Sequence, residues 1–320
     1  MNIKKIGILT SGGDAPGMNA IVYSVVKSAY ENNLDVVGVY RGYNGLINGD
    51  IRPLKLRNIK NIIKRGGTIL YSARCLEFQT EEGFAKAKKN CIENGIDGLI
   101  VVGGDGTFKG ASKLSKAGIP CIGLPGTIDN DISCTDYTLG FDTAVNTAVE
   151  MVDKLCDTMV SHDRCSVVEV MGRNSGYIAL DVGISVGASY IVIHEVDFDR
   201  NDLFEKMMKA KEAGKKHFII VVAEKILDVF ELAKEIEEKV SVESRAIVLG
   251  HVQRGGSPTV KDRIVGVRFG EKAVELLLSG KVGRVVGLKG SEIVDYDILK
   301  GLELKKEFPK DKYYAARQLF

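Results

Sequence analysis

The feature that most constrains this chain is that its apolar runs do not alternate with polar residues. "KIGILT" (5–10), "DVVGVY" (35–40), "DGLIVVGG" (97–104), "PCIGLPG" (120–126), "CSVVEVMG" (165–172), "YIVIHE" (190–195), "HFIIVVAE" (217–224) and "RAIVLG" (245–250) are short and almost continuously apolar. A strand wetted on one face reads apolar–polar–apolar, whereas a strand covered on both faces reads as an unbroken run. The segments between them carry helical spacing. Examples are "MNAIVYSVVKSAYENN" after the first run, "GFAKAKKNCIENG" and "FKGASKLSKAG" around the third, and the long "FDTAVNTAVEMVDKLCDTMV" (141–160). Further helices are expected from Ser175, from Asn201, at "VFELAKEIEEKV" and at "RIVGVRFGEKAVELLLSG". This order predicts an α/β fold with doubly wound, mostly parallel sheets. At 320 residues the chain is long for one compact domain, so two such units are expected. Sheets of this kind bind ligands outside the carboxyl ends of their strands.

Charge and cysteine usage exclude several classes. There are 44 basic and 42 acidic residues, a net charge of +2. That balance argues for no nucleic-acid and no membrane partner, so any cationic site is a local cluster. The six cysteines (75, 91, 121, 134, 156 and 165) form no CxxC pair and no zinc-ligand spacing with the four histidines. No signal peptide is recognisable, and the longest apolar runs fall far short of the ~20 residues a membrane helix needs. A reduced, cytoplasmic, soluble protein is expected.

Two glycine-rich stretches, "TSGGDAPGMNA" (10–20) and "GGDGTFKG" (103–110), each follow a strand and open a helix. Glycine lets backbone N–H groups approach an anion closely, and the helix N-terminus adds partial positive charge. A tight strand-to-helix turn explains one such loop; two at strand ends favour phosphate binding. Neither is a common nucleotide signature, for no GxxxxGK[ST] occurs and the protein-kinase set is absent. Asp105 among these glycines would repel phosphate unless a cation intervened, and Mg²⁺ commonly uses one or two carboxylates with phosphate oxygens. A helix N-cap is the plainer role for it. "PGTIDNDI" (125–132) ends the next strand. A lone D-x-D is more often a turn. At one rim with the GGDG loop, however, one aspartate can serve as general base toward a substrate hydroxyl, while the other orients it or helps a metal. Arg173 in "MGRNSG" and His251 with Arg254 in "LGHVQRGGSP" each lie just after a strand, Arg74 follows "TILYSA", Arg164 is in "SHDR", and Arg245 begins "RAIVLG". Single arginines are ordinarily solvated; in glycine-rich strand-end loops they suit bidentate phosphate binding. Glu224 is either a solvated loop residue or an acceptor for a sugar hydroxyl.

"TSGGDAPGMNA", "RGGT", "SAR", "GGDGT", "PGTIDNDI", "EVMGR", "GKKH" and "LGHVQRGGSP" occur in the order seen in bacterial 6-phosphofructokinases, which the chain resembles from the first strand past residue 280. The resemblance implies transfer of the γ-phosphoryl of ATP to the 1-hydroxyl of fructose 6-phosphate with Mg²⁺. It makes Asp129 the base, assisted by Thr127 and Asp131, and gives Asp105 the Mg²⁺. It puts Gly13, Tyr43, Arg74, Cys75, Gly104, Asp105, Gly106 and Thr107 at ATP, with Arg74 and Arg173 stabilising the transferring group. Thr127, Ile128, Asp129, Met171, Gly172, Arg173, Glu224, His251 and Arg254 fall to the sugar phosphate. Arg164 and Arg245 match residues supplied by a neighbouring subunit, so a homotetramer is implied. The implied domains are discontinuous: 1–140 plus about 253–302 for the nucleotide, 141–252 plus about 303–320 for the sugar phosphate, with the active site in the cleft between them.

Three rivals remain. Pyrophosphate-dependent relatives typically carry aspartate where this chain has Gly106 and lysine where it has Gly126; both glycines favour ATP. A kinase for a related ketohexose phosphate differs by one hydroxyl's stereochemistry. A nucleotide-sensing subunit without catalysis is disfavoured because Asp105, Asp129 and Asp131 are all present. At the effector positions of the resembled family, Lys215, Lys216 and His217 stand as expected and Lys27 replaces an arginine. Tyr23, Leu56 (beside Arg57), Cys156 and Ser189 depart from the pattern. Weak or altered control by ADP and phosphoenolpyruvate is therefore expected.

Overall fold

In the computed structural model, which describes residues 3–317, each of the eight apolar runs contains a strand. The first part of the chain runs β1 (Lys5–Thr10), α1 (Met18–Glu31), β2 (Asp35–Val39), α2 (Gly42–Asn48), β3 (Ile51–Pro53), α3 (Glu81–Glu93), β4 (Gly98–Gly103), α4 (Asp105–Lys116) and β5 (Cys121–Pro125). Then follow α5 (Phe141–Val160), β6 (Cys165–Val170), α6 (Tyr177–Ser185), β7 (Tyr190–Val192), α7 (Arg200–Glu212), β8 (Phe218–Ala223), α8 (Val229–Val240) and β9 (Ser244–Val248). The chain closes with α9 (Val260–Leu278), β10 (Arg284–Lys289), β11 (Glu292–Asp297), α10 (Ile298–Glu303) and α11 (Lys310–Arg317).

Two units result. One extends to Thr143 and resumes over Arg254–Lys306; the other comprises Ala144–Gln253 and resumes at Glu307. The first holds a seven-stranded sheet in the order β11-β10-β5-β4-β1-β2-β3, parallel except at its two outermost pairings. The second holds a four-stranded, all-parallel sheet in the order β7-β8-β6-β9. The interior strands β4 and β8 are buried at every residue, which is why their sequences carry no polar alternation.

In the first unit, α1 and α9 pack closely because α9 presents Gly266 and Gly270. A Cβ at Gly266 would lie 2.9 Å from the Ala20 Cβ, and one at Gly270 would lie 2.8 Å from the Ser24 Cβ. The Ser24 hydroxyl then reaches the Val267 carbonyl at 2.7 Å. This contact fixes the N-terminus of α1 beside the carboxyl end of β1. In the first turn of α9, buried Asp262 gathers the turn before α5. Its carboxylate accepts from the Tyr137 hydroxyl (2.5 Å), Gly140 N (2.7 Å), Thr143 N (3.0 Å) and the Thr143 hydroxyl. Burial pushes this carboxyl above its usual range, while the bonds from Thr143 and Tyr137 pull the other way.

Candidate active site

In the first unit, adjacent parallel strands bring the three loops named from sequence to one rim. β1 pairs with β4 and β4 with β5, ending at Thr10↔Val102 and Gly103↔Pro125. Ser11 N donates to the Val102 carbonyl at 2.9 Å, and Gly126 N to the Gly103 carbonyl at 3.0 Å. Gly103 is required by this approach, since its Cβ would stand 2.6 Å from the Ser11 carbonyl oxygen. The TSGGD, GGDG and PGTIDND loops therefore stand side by side at the carboxyl edge of the sheet, where α/β folds bind ligands.

Helix capping separates structural helix starts from available ones. Thr80, Asp199, Asp228, Thr259 and Asp297 cap α3, α7, α8, α9 and α10 through their side chains. α2 and α6 open from Arg41 and Gly176 with no side-chain cap, and so do α1 and α4, from Gly17 and Gly104 on the glycine loops of this rim. The first N–H groups of α1 and α4 suit an anion. A Cβ at Gly104 or Gly106 would meet nothing within 4 Å, so space lies open at the start of α4. Asp105 is exposed there, in the first turn of α4.

Residues that carried no role in the sequence reading hold this rim together. Buried Asn19 on α1 donates to the Arg65 and Gly66 carbonyls (3.0 and 3.2 Å) and accepts from Ile69 N (2.8 Å). It ties the RGGT segment to α1. A Cβ at Gly66 would stand 2.2 Å from the Gly256 carbonyl oxygen, so the RGGT and QRGGSP loops meet backbone to backbone. Arg254 reaches the same place: its Nη1 donates to the Asp14 carbonyl at 3.0 Å and crowds Gly13, where a Cβ would stand 2.4 Å from it. The structure thus sets Arg254 against the β1–α1 loop. Tyr43 has a supporting position. Its ring is buried, stacked on Phe78 at 4.0 Å, and its hydroxyl donates to the Thr107 carbonyl at 2.7 Å, bracing the first turn of α4. Cys75 is half-buried against the core, and Arg74 is exposed with no ion pair among the described residues.

The PGTIDND loop is closed on itself. Asp129 and Ile128 are buried, and Thr127 and Asp131 half-buried. Asp129 N donates to the Thr127 hydroxyl at 3.3 Å, and the Thr138 hydroxyl donates to the Thr127 carbonyl at 2.6 Å. A carboxylate fixed within such a loop is suited to accept a proton at one place.

In the second unit, β6 and β8 are neighbours, and their ends bring Met171, Gly172, Arg173 and Glu224 together. Glu224 Oε1 accepts from Gly172 N (3.2 Å) and Arg173 N (2.6 Å), leaving Oε2 without a hydrogen bond among the described residues. Gly172 has φ +150, and a Cβ there would stand 2.4 Å from the Ser175 carbonyl oxygen. Fully buried Gln253 completes the loop, accepting from Met171 N at 3.2 Å and donating to the Gly250 carbonyl at 3.0 Å. Arg173 and His251 are exposed, and Arg173 makes no ion pair among the described residues. Arg164 and Arg245 converge on one carboxylate: Glu243 lies 2.9 Å from Arg164 Nε and 2.6 Å from Arg245 Nη2. Arg164, with Arg245 beyond it, holds the Glu243 carboxyl below its usual range. Of the effector positions, Lys27 is exposed on α1, Lys216 lies 3.9 Å from Asp163, and burial draws the Lys215 ammonium below its usual value. His217 is half-buried just before β8.

A family model described as phosphofructokinase matches residues 5–277. The chain belongs to the phosphofructokinase family. It is 52% identical over 317 residues to the ATP-dependent 6-phosphofructokinase of Bacillus pumilus (strain SAFR-032), with 99% of each chain covered. It is also 52% identical over 330 residues to the protein of that name from Halothermothrix orenii, again with 99% of each covered. Among solved structures, phosphofructokinase from Saccharomyces cerevisiae superposes with a TM-score of 0.89 at 33% identity over 99% of this chain and 48% of the other. This chain thus spans about half the length of the yeast one. A pyrophosphate-dependent phosphofructokinase from Marinobacter aquaeolei, at TM-score 0.85 and 22% identity, shares the fold. The expected family and the expected pair of mostly parallel sheets are both found. No helix of the described phosphofructokinase chain is long and apolar enough to cross a membrane.

Proposed function

We propose that this chain transfers the γ-phosphoryl group of ATP to the 1-hydroxyl of fructose 6-phosphate, giving fructose 1,6-bisphosphate and ADP in glycolysis. The observation that carries this reading is the rim of the first unit. Two uncapped helix starts on glycine loops stand beside the loop that fixes Asp129, in a chain 52% identical to proteins named for this reaction.

The TSGGD and GGDG loops, with Gly13, Gly104, Gly106 and Thr107, bind the nucleotide phosphates through backbone N–H groups. Tyr43 braces them, and Cys75 lines the same region. Asp105 is the residue that would hold Mg²⁺. It is one exposed carboxylate between glycines whose Cβ positions face open space, and no group of three or more potential ligand side chains that could hold a metal exists among the described residues. That suits an ion carried in by the nucleotide and completed by phosphate oxygens, where it would neutralise phosphate charge. The sugar's 1-hydroxyl oxygen attacks the γ-phosphorus as its proton passes to the Asp129 carboxylate. The bond from phosphorus to the bridging oxygen breaks, and ADP leaves with that oxygen. Thr127 and Asp131 orient the base, and Arg74 and Arg173 meet charge on the transferring group. Such chemistry asks mainly for positioning and charge stabilisation.

Met171, Gly172, Arg173, Glu224, His251 and Arg254, with Thr127 and Ile128, recognise the sugar phosphate. The Glu224 oxygen left over from holding the MGR loop suits a sugar hydroxyl. Arg164 and Arg245 serve a neighbouring subunit's sugar phosphate in a homotetramer, a reading supported by their both pairing with the Glu243 carboxylate. The enzyme works in the cytoplasm. The test is a coupled assay of purified protein with fructose 6-phosphate and either MgATP or Mg-pyrophosphate. Turnover with ATP and at least a hundredfold less with pyrophosphate is expected; comparable rates with both donors, or none with ATP, would overturn the reading.

A further inference from the structure

Asp129 is followed by Asn130, whose backbone is left-handed (φ 51), a conformation asparagine adopts more readily than other non-glycine residues because its short side chain can bond locally. Its carbonyl and its side chain are both bonded to other segments. We propose that Lys306, 176 residues further along the chain, is a positioning residue for Asp129 that acts through Asn130. The inference rests on the reading of Asp129 as the base.

The Lys306 ammonium donates to the Asn130 carbonyl at 2.7 Å and to Asn130 Oδ1 at 3.0 Å, and stands 3.5 Å from the Asp136 carbonyl. Asn130 Oδ1 also takes Thr138 N (3.0 Å), and Asn130 Nδ2 donates to the Asp136 carbonyl (3.3 Å). One cation therefore clamps both ends of the residue next to Asp129. The charges facing it divide the work. On β10, Lys289 pairs with Asp136 Oδ1 at 2.7 Å, and Gly290 N takes Asp136 Oδ2 at 2.9 Å. The Asp136 carboxylate is thus occupied by Lys289, and Lys306 is directed at carbonyl oxygens. Burial draws the Lys306 ammonium down to about 8, Lys289 pushing the same way, while Asp136, Asp131 and Cys134 oppose. The clamp is charged below about pH 8. Above it the amine keeps two N–H donors and loses the charge that makes such bonds strong.

The test compares wild type with Lys306→Met and Lys306→Arg. For each, thermal midpoint, kcat, and KM for ATP and fructose 6-phosphate are measured from pH 6.5 to 9.5. We expect Lys306→Met to lower kcat at pH 7 at least tenfold with both KM values within threefold of wild type, and Lys306→Arg to recover most of that loss. We expect wild-type kcat to decline several-fold above about pH 8 and the arginine variant to keep its rate. A Lys306→Met enzyme with kcat within twofold of wild type, or with the loss in KM alone, overturns the proposal. If that variant does not fold, the alkaline limbs of wild type and Lys306→Arg still decide, and coincident limbs overturn it. Failure of the underlying reading is distinguishable, because wild type itself would then show no fructose 6-phosphate kinase activity at any pH.

Discussion

Gly106 and Gly126, the two positions that bear on donor choice, have opposite surroundings. A Cβ at 106 meets nothing within 4 Å, whereas one at 126 would stand 2.8 Å from Val102 Cγ1 and 3.3 Å from the Met18 methyl. Gly106 is therefore free of protein constraint, and a charge there acts only on what binds. Gly126 is part of the packing where the β5 loop leaves the sheet. We predict that Gly106→Asp folds with an unchanged urea midpoint but loses ATP turnover, with KM for fructose 6-phosphate little altered. Gly126→Lys should instead lose about 1–3 kcal/mol of stability, the usual cost of overpacking. Equal midpoints for the two variants would contradict this reading. Glycine's part in the loops was legible in the sequence, because the chemistry of an N–H cradle is local. The packing that distinguishes 106 from 126 was not, since it depends on Val102 and Met18 from other segments.

Among elements, burial accounts for only part of what was legible: β9 was read from "RAIVLG" although it has one buried residue, whereas β10, with four buried residues, was not read. β4 and β8, covered on both faces, were read directly. β3, three residues containing a proline, and β11, "EIVDYD", in which no residue is fully buried, gave no such signal; both are antiparallel edges. Loop anchors were hidden for a different reason. Gln253 meets Met171 82 residues away, Asn19 meets Arg65 46 away, and Asp262 meets Thr143 119 away. No short-range pattern encodes such pairs, although a buried asparagine on the apolar face of "MNAIVYSVV" was a possible flag. Asp262 is the sharpest case, for its loss would strand four donors in the interior. Asp262→Ala should cost about 3–5 kcal/mol, and Asp262→Asn, which keeps one acceptor, roughly half that. In a protein of this size the alanine change should lower the thermal midpoint by roughly 10 °C. A midpoint within 2 °C of wild type would show that the buried carboxylate does not hold the start of α5.

At the scale of the whole molecule, the chain divides its chemistry between units built on the same plan. Glycine loops, the carboxylates and Lys306 belong to the unit of seven strands; the MGR loop, Glu224 and the Arg164–Glu243–Arg245 cluster belong to the unit of four. The glycine loops, the MGR loop and Glu224 follow the carboxyl ends of their strands, where α/β sheets bind ligands, whereas Arg164, Glu243 and Arg245 lie at the amino ends of β6 and β9 and Lys306 follows α10. Asp129, buried in the loop after β5, is the residue on which the proposed phosphoryl transfer most depends. The direct measurement is steady-state kinetics of Asp129→Ser beside wild type, with MgATP and fructose 6-phosphate. Removal of a general base predicts a fall in kcat of ~10²–10⁴, with both KM values within a few-fold and the thermal midpoint preserved. A folded Asp129→Ser enzyme that keeps near-normal kcat would contradict it.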